Sequence, residues 1–165
     1  MKRKYWFVAL TISLLLFWGS TCRKKQDACP LNPENYELHH ISEKGFRHIF
    51  QIDITDGECS GCHHVVAEKC GLVSIKKKNT GKYGVFKATI ETKDKTLPSC
   101  KKESTFFPKK WTVQTTLDKI EDAYQKSTVV DGNEREGKTS EGVIIKIIMD
   151  KNDKGKIFNA YPIMQ

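Results

Sequence analysis

Histidines mark both ends of the stretch from Gly45 to His64. His48 lies near its start, and His63 and His64 close it after a glycine-containing turn. Imidazole exchanges protons near neutral pH, so two rings converging on one substrate atom can act as base and acid in the same reaction. The same stretch contains Cys59-Ser60-Gly61-Cys62-His63, the spacing that attaches c-type haem. In that reading both thiols add to haem vinyl groups and His63 becomes an axial ligand. Met149, Met164, His39, His40 or His48 would supply the second ligand.

A second concentration of reactive side chains is Phe106-Phe107-Pro108-Lys109-Lys110-Trp111. Thr112 follows as an N-cap, and Val113, Leu117, Ile120 and Tyr124 then recur at helical spacing through Lys126. Lys109 and Lys110 therefore stand just before a helix N-terminus, where backbone N–H groups also receive phosphate. The same pattern fits an aromatic plug that anchors the helix while the lysines stay solvated. Tyr161-Pro162 closes the chain after an apolar hairpin.

The elements that must position these groups follow from periodicity. Tyr36–Glu43, with His39 and His40, reads as a short helix or turn. Phe46–Ile54 alternates loosely and reads as a strand, with Asp56-Gly57 as the turn after it. His48 and His63 would then lie on one ribbon, and in extended chain His63 and His64 face opposite sides. Leu72–Lys77 and Gly84–Thr92 are strands, with a basic patch of Lys76–Lys78 and Lys82 at the turn between them. Asp94–Glu103 and Asp131–Glu141 read as polar loops. Gly142–Asp150 is a β-branched strand, 151–156 a hairpin turn and Ile157–Ile163 the last strand. The expected class is α+β, antiparallel sheet with one main helix.

Lys2, Arg3 and Lys4 precede an apolar run, Tyr5–Trp18, that is too short to span a bilayer and suits a signal peptide. Residues 1–21 are expected to direct export, and Cys22 resembles a lipobox cysteine, with ordinary secretion as the alternative. Residues 22–37, with Pro30 and Pro33, read as a tether to a folded domain at 38–165. An oxidising compartment makes disulfides the default for the other five cysteines. Cys29, in the tether, is expected to be the odd one, leaving Cys59, Cys62, Cys70 and Cys100 with three possible connectivities. The net charge of +8 falls to +5 when Lys2, Arg3 and Lys4 are removed. Such a surface favours polyanions, or is simply solubilising.

Six pieces in order resemble the bacterial EndoU endoribonuclease family. They are Arg47-His48-Ile49-Phe50, Gly61-Cys62-His63-His64, Tyr83–Ile90, Thr105–Thr112, Gly142–Ile147 and Ala160-Tyr161-Pro162. The resemblance covers about residues 38–165 and implies the barnase-EndoU-colicin-RelE-like RNase fold. It implies an endoribonuclease that uses no cofactor or metal and cuts RNA through the 2′-hydroxyl, leaving 2′,3′-cyclic phosphate and 5′-hydroxyl ends. By the same resemblance His48 and His63 are the acid–base pair, Lys109 or Lys110 supplies positive charge, and Tyr161 stacks on or orients the nucleotide. Asn159 stands where toxin members often have threonine, and Thr112 and His64 are further substrate-side candidates. RNA is the implied partner of a monomeric, exported protein, with an immunity protein if the chain is toxin-like and a membrane contact if Cys22 is lipidated. A non-catalytic RNA- or envelope-binding protein on the same fold is the remaining alternative.

Overall fold

A computed structural model describes residues 29–165. The expected signal segment, Cys22 and the first part of the tether, residues 22–28, lie outside the described residues.

After a 3-10 turn at Pro33–Asn35, the chain forms α1 (Glu43–Phe50), β1 (Ile52–Thr55), β2 (Glu58–Gly61), the single turn α2 (Val66–Lys69) and β3 (Val73–Thr80). β4 (Phe86–Thr92), β5 (Lys101–Phe106) and the main helix α3 (Val113–Gln125) follow. The chain ends with β6 (Thr128–Asp131), β7 (Glu134–Lys138), β8 (Ile144–Met149) and β9 (Ile157–Pro162). All strand pairings are antiparallel, in a β1-β2 hairpin, a β3-β4-β5 sheet and a β6-β7-β8-β9 sheet. The α+β expectation holds, and α3 begins at the Thr112 cap, whose side chain accepts from Thr115 N–H.

Phe46–Phe50 is helix, not strand. Ser42 caps α1 by accepting from Gly45 N–H, and Phe46, Ile49 and Phe50 fall on one buried face at i, i+3 and i+4. Burying each such side chain contributes about 1.5–3 kcal/mol, which outweighs the strand preference of isoleucine and phenylalanine. Gly45 meets β9 backbone here: a Cβ at this position would run into the carbonyl of Ile157.

Two stretches expected as loops contain strands. β5 starts at Lys101 inside the expected 94–103 loop. Its outward residues Lys101 and Glu103 are charged and exposed, which masks the buried Ser104 and Phe106. The β6–β7 hairpin fills most of 131–141. All four β6 residues are exposed, so no apolar alternation marks it.

The cysteine expectation also changes. Cys29 pairs with Cys70 and Cys59 with Cys100, while Cys62 is the buried free thiol. The segment around Cys29 is thus tied to the folded domain.

One core joins α1, α3 and the β6–β9 sheet through Phe46, Phe50, Leu117, Ile120, Ile145, Ile147 and Ala160. A second lies under the β3–β5 sheet around Phe86, Ile90, Phe106 and Cys62. β5 and β9 are each the edge of their sheet.

Candidate active site

α1 carries His48, and the end of its last turn leaves carbonyls without helical partners. Two of these take partners from the chain after β2: Cys62 N–H donates to His48 O at 2.9 Å and His63 N–H to Ile49 O at 2.7 Å. The geometry depends on consecutive left-handed residues, Gly61 (φ 69°) and Cys62 (φ 61°). A Cβ on Gly61 would collide with the His48 carbonyl. The His63 carbonyl in turn accepts from Phe107 N–H at 3.0 Å. The two histidines are therefore brought together by helix C-capping rather than by a shared ribbon, as the sequence had suggested.

Hydrogen-bond partners assign each ring's tautomer. His63 Nδ1 lies 2.9 Å from Thr105 O, and a carbonyl only accepts, so Nδ1 carries the proton. Ser104 Oγ sits 3.0 Å from the same nitrogen as a second contact. His48 Nδ1 lies 2.6 Å from Asp53 Oδ2 and donates to that carboxylate. On both neutral rings, then, Nε2 keeps its lone pair. Aromatic neighbours fix the planes: Tyr161 stacks on His63 at 5.2 Å and Phe158 packs on His48 at 4.7 Å.

Burial pushes His63 down to about 3; its bond to Thr105 O opposes this, and the charges of Lys102 and His48 add to it. Burial also lowers His48, but Asp53 opposes that shift by hydrogen bond and charge, while Lys102 and Lys44 reinforce it. Of the two rings, His48 alone has a carboxylate partner and is the easier to protonate.

Lys102 acts on both histidines, and its own ammonium is lowered by burial. It lies on β5 two residues before Ser104, so both point to the same face of the strand. Lys102 and Asp53 are the site residues that sequence reasoning missed. Lys102 sat in a lysine-rich stretch read as loop. Asp53 sat in a segment read as strand throughout, although its spacing from His48 was visible.

Lys109 and Lys110, expected to supply that charge, are exposed and line a different hollow beside Trp111 and His64. Lys109 Nζ sits 5.4 Å over the Phe86 ring. Thr112 is occupied as the α3 cap. Both His64 nitrogens are taken by backbone: Nε2 donates to Trp111 O at 3.0 Å and Nδ1 accepts from Val66 N–H at 3.1 Å. These bonds hold the His64 ring against Trp111 and Val66, although His63 and His64 lie beyond the end of β2 and outside any strand. Asn159, two residues before Tyr161 on β9, keeps Oδ1 buried with no partner. An unpaired buried acceptor of this kind costs about 1–3 kcal/mol.

The haem reading needs two available thiols, but Cys59 is bonded to Cys100 and Cys62 is enclosed in the second core. Burial raises the Cys62 thiol to about 12. Among the described residues no group of three His, Cys, Asp or Glu side chains converges as a metal cage.

Two imidazoles with free Nε2 atoms, held beside a half-buried ammonium between two sheet edges, define an acid–base site suited to a phosphodiester. Residues 42–164 match the family described as bacterial EndoU nuclease, and the chain belongs to that family. It is 34% identical over 119 residues to a Bacillus cereus protein named "Toxin", covering 70% of this chain and 22% of that protein. The chain therefore spans about a fifth of that relative's length. No solved structure matches it.

Proposed function

We propose that the chain is an exported, toxin-like endoribonuclease that cuts RNA by 2′-hydroxyl transesterification without a metal. The observation that carries this reading is the tautomer pattern: both Nδ1 atoms are hydrogen-bonded to acceptors, so both Nε2 atoms are free to exchange protons with substrate.

His63 is the general base. It is neutral, lacks a carboxylate partner and faces Lys102, so it takes the proton of the 2′-hydroxyl on Nε2. The 2′-oxygen attacks phosphorus, and the phosphorus–O5′ bond breaks. His48, whose protonated form Asp53 favours, gives its Nε2 proton to the departing 5′-oxygen. The products are a 2′,3′-cyclic phosphate and a 5′-hydroxyl. Lys102 offsets charge on the crowded phosphate, and Tyr161 offers a stacking face to a base. A phosphate anion between the rings raises the pKa of both, which makes His63 a stronger base in the complex than in the free protein.

The name of the Bacillus cereus relative supports the toxin-like role, and an immunity protein is the partner such a role requires. Two disulfides among the described residues favour an oxidising compartment, in keeping with the signal-like segment at 1–21. We place the protein at the cell envelope, anchored through lipid on Cys22, or secreted, and acting as a monomer.

Labelled RNA and the matching DNA, incubated in EDTA with wild-type protein, His48→Ala and His63→Ala, test the reading. Cleavage of RNA alone, lost in both variants, is expected. Intact RNA with wild type, or unchanged cleavage by either variant, would overturn it.

A further inference from the structure

Against Phe158, the aromatic neighbour of His48, opens a cavity of about 340 Å³ that the mechanism above does not use. Lys44, Ile148, Met149, Asp150, Lys151 and Phe158 line it. Single nucleotides fit such a volume, which lies at the small end of the roughly 300–1,000 Å³ typical of ligand pockets.

Phe158 separates the cavity from the acid–base pair. On β9, Ile148 faces Asn159 while Met149 faces Ile157, so Phe158 is the unpaired extra residue of a bulge. Bulges re-aim side chains, and this one sets the Phe158 ring 4.7 Å from the His48 ring. Lys44 stands one helical turn before His48 on α1, and its Nζ rests 5.0 Å over the Phe158 ring. Among the described residues neither Lys44 nor Lys151 is held in an ion pair. Both are exposed. The cavity thus combines a flat ring, two apolar side chains and two uncommitted ammonium groups, with the Phe158 ring between it and the His48 imidazole.

We propose that this cavity is a subsite for the nucleotide one step beyond the cleaved phosphodiester on the His48 side, the next after the nucleoside that leaves. Its base lies on Ile148, Met149 and the Phe158 ring, and its phosphate is taken by Lys44 and Lys151. The exposed Lys44 chain lifts from the ring onto the phosphate, which frees the aromatic face for the base. Asp150 repels phosphate from its own side of the cavity. Because stacking uses the face common to all bases, the subsite favours chain length over base identity.

The subsite rests on the nuclease reading, so its test has two arms. In the first, kcat/KM is measured for a dinucleotide with one scissile bond and for the same dinucleotide extended by one nucleotide, 5′ or 3′. One extension is expected to raise kcat/KM about tenfold, the scale of one stacked base. The double variant Lys44→Gln/Lys151→Gln should cancel most of that gain. Only the ratio within each protein is compared, so a change in the variant's basal rate does not enter. No gain from either extension in wild type, or an undiminished gain in the variant, overturns the subsite. If wild type cuts nothing, the second arm decides, by fluorescence anisotropy with all-2′-deoxy versions of the three oligonucleotides. Tighter binding of one extended form, lost in the variant, supports the subsite while removing the nuclease reading. Equal binding of all three overturns the subsite as well.

Discussion

Replacing Asp53 by asparagine removes a charge from beside His48 and leaves an acceptor oxygen in place. In the native protein Asp53 Oδ2 is 2.6 Å from His48 Nδ1, with the histidine side chain 8% and the aspartate side chain 44% exposed. Charge centres about 4 Å apart interact by about 4 kcal/mol at an effective dielectric of 20. With nearly half of Asp53 in water, screening reduces this to about 1.5 kcal/mol, or about one pKa unit. The sign follows from the opposing causes. Burial lowers His48 and Asp53 raises it, so Asp53→Asn lowers it further. In the proposed mechanism the productive form has His48 protonated and His63 neutral. The His63 pKa, about 3, lies below that of His48, so kcat/KM is high between the two. It falls about tenfold per pH unit above the His48 value. Asp53→Asn should move that falling limb about one unit toward acid. On the limb, kcat/KM drops about tenfold; on the plateau it barely changes. A fluorogenic RNA assayed from about pH 4 to pH 9 reads both regions. An equal loss at every pH, or a limb that stays put or moves toward alkali, would refute the assignment of His48 as the acid.

Three more outcomes follow from the structure. Lys102→Met should lower kcat about 10²–10³-fold, whereas Lys109→Met should change it by less than about threefold because that side chain is spent on the Phe86 ring; steady-state kinetics on one RNA substrate compares them. Gly61→Ala should destabilise the fold by at least about 2 kcal/mol in urea titrations and abolish activity, since a left-handed residue at the His48 carbonyl has no room for Cβ. Cys29→Ser/Cys70→Ser should cost about 4 kcal/mol by the chain-entropy estimate for a 41-residue separation. Chemical denaturation checks this, and a loss below about 1 kcal/mol would mean that the segment at Cys29 is already held by other contacts.

The parts legible in the sequence were those with a strong local signal. Thr112 and the 3.6-residue repeat after it mark α3, and the β-branched run at 144–149 marks β8. His48, His63 and Tyr161 stood out by residue type and order, and the fold brings them together. The misread parts have tertiary causes. Phe46–Phe50 carries strand-favouring residues, but the Ser42 cap and the close fit of Gly45 against β9 make it a helix. β5, β6 and β7 are polar because one face or both meet water. Lys102 was hidden among Lys101, Lys102 and Glu103, and only strand alternation separates it from its neighbours. Lys109 and Lys110 drew attention through adjacent aromatics, yet those rings anchor α3 and hold His64. The cysteine pairing could not be read because partners 41 residues apart meet only once the chain is folded.

The central claim is that His63 and His48 move protons for an attack by the 2′-oxygen. A DNA oligonucleotide carrying a single ribonucleotide tests it most directly, in EDTA, with both product ends identified by mass. Scission only at the 3′ side of the ribonucleotide, leaving a 2′,3′-cyclic phosphate and a 5′-hydroxyl, is the predicted result. Scission at deoxynucleotides, a 5′-phosphate end, or loss of activity on chelation would contradict the account.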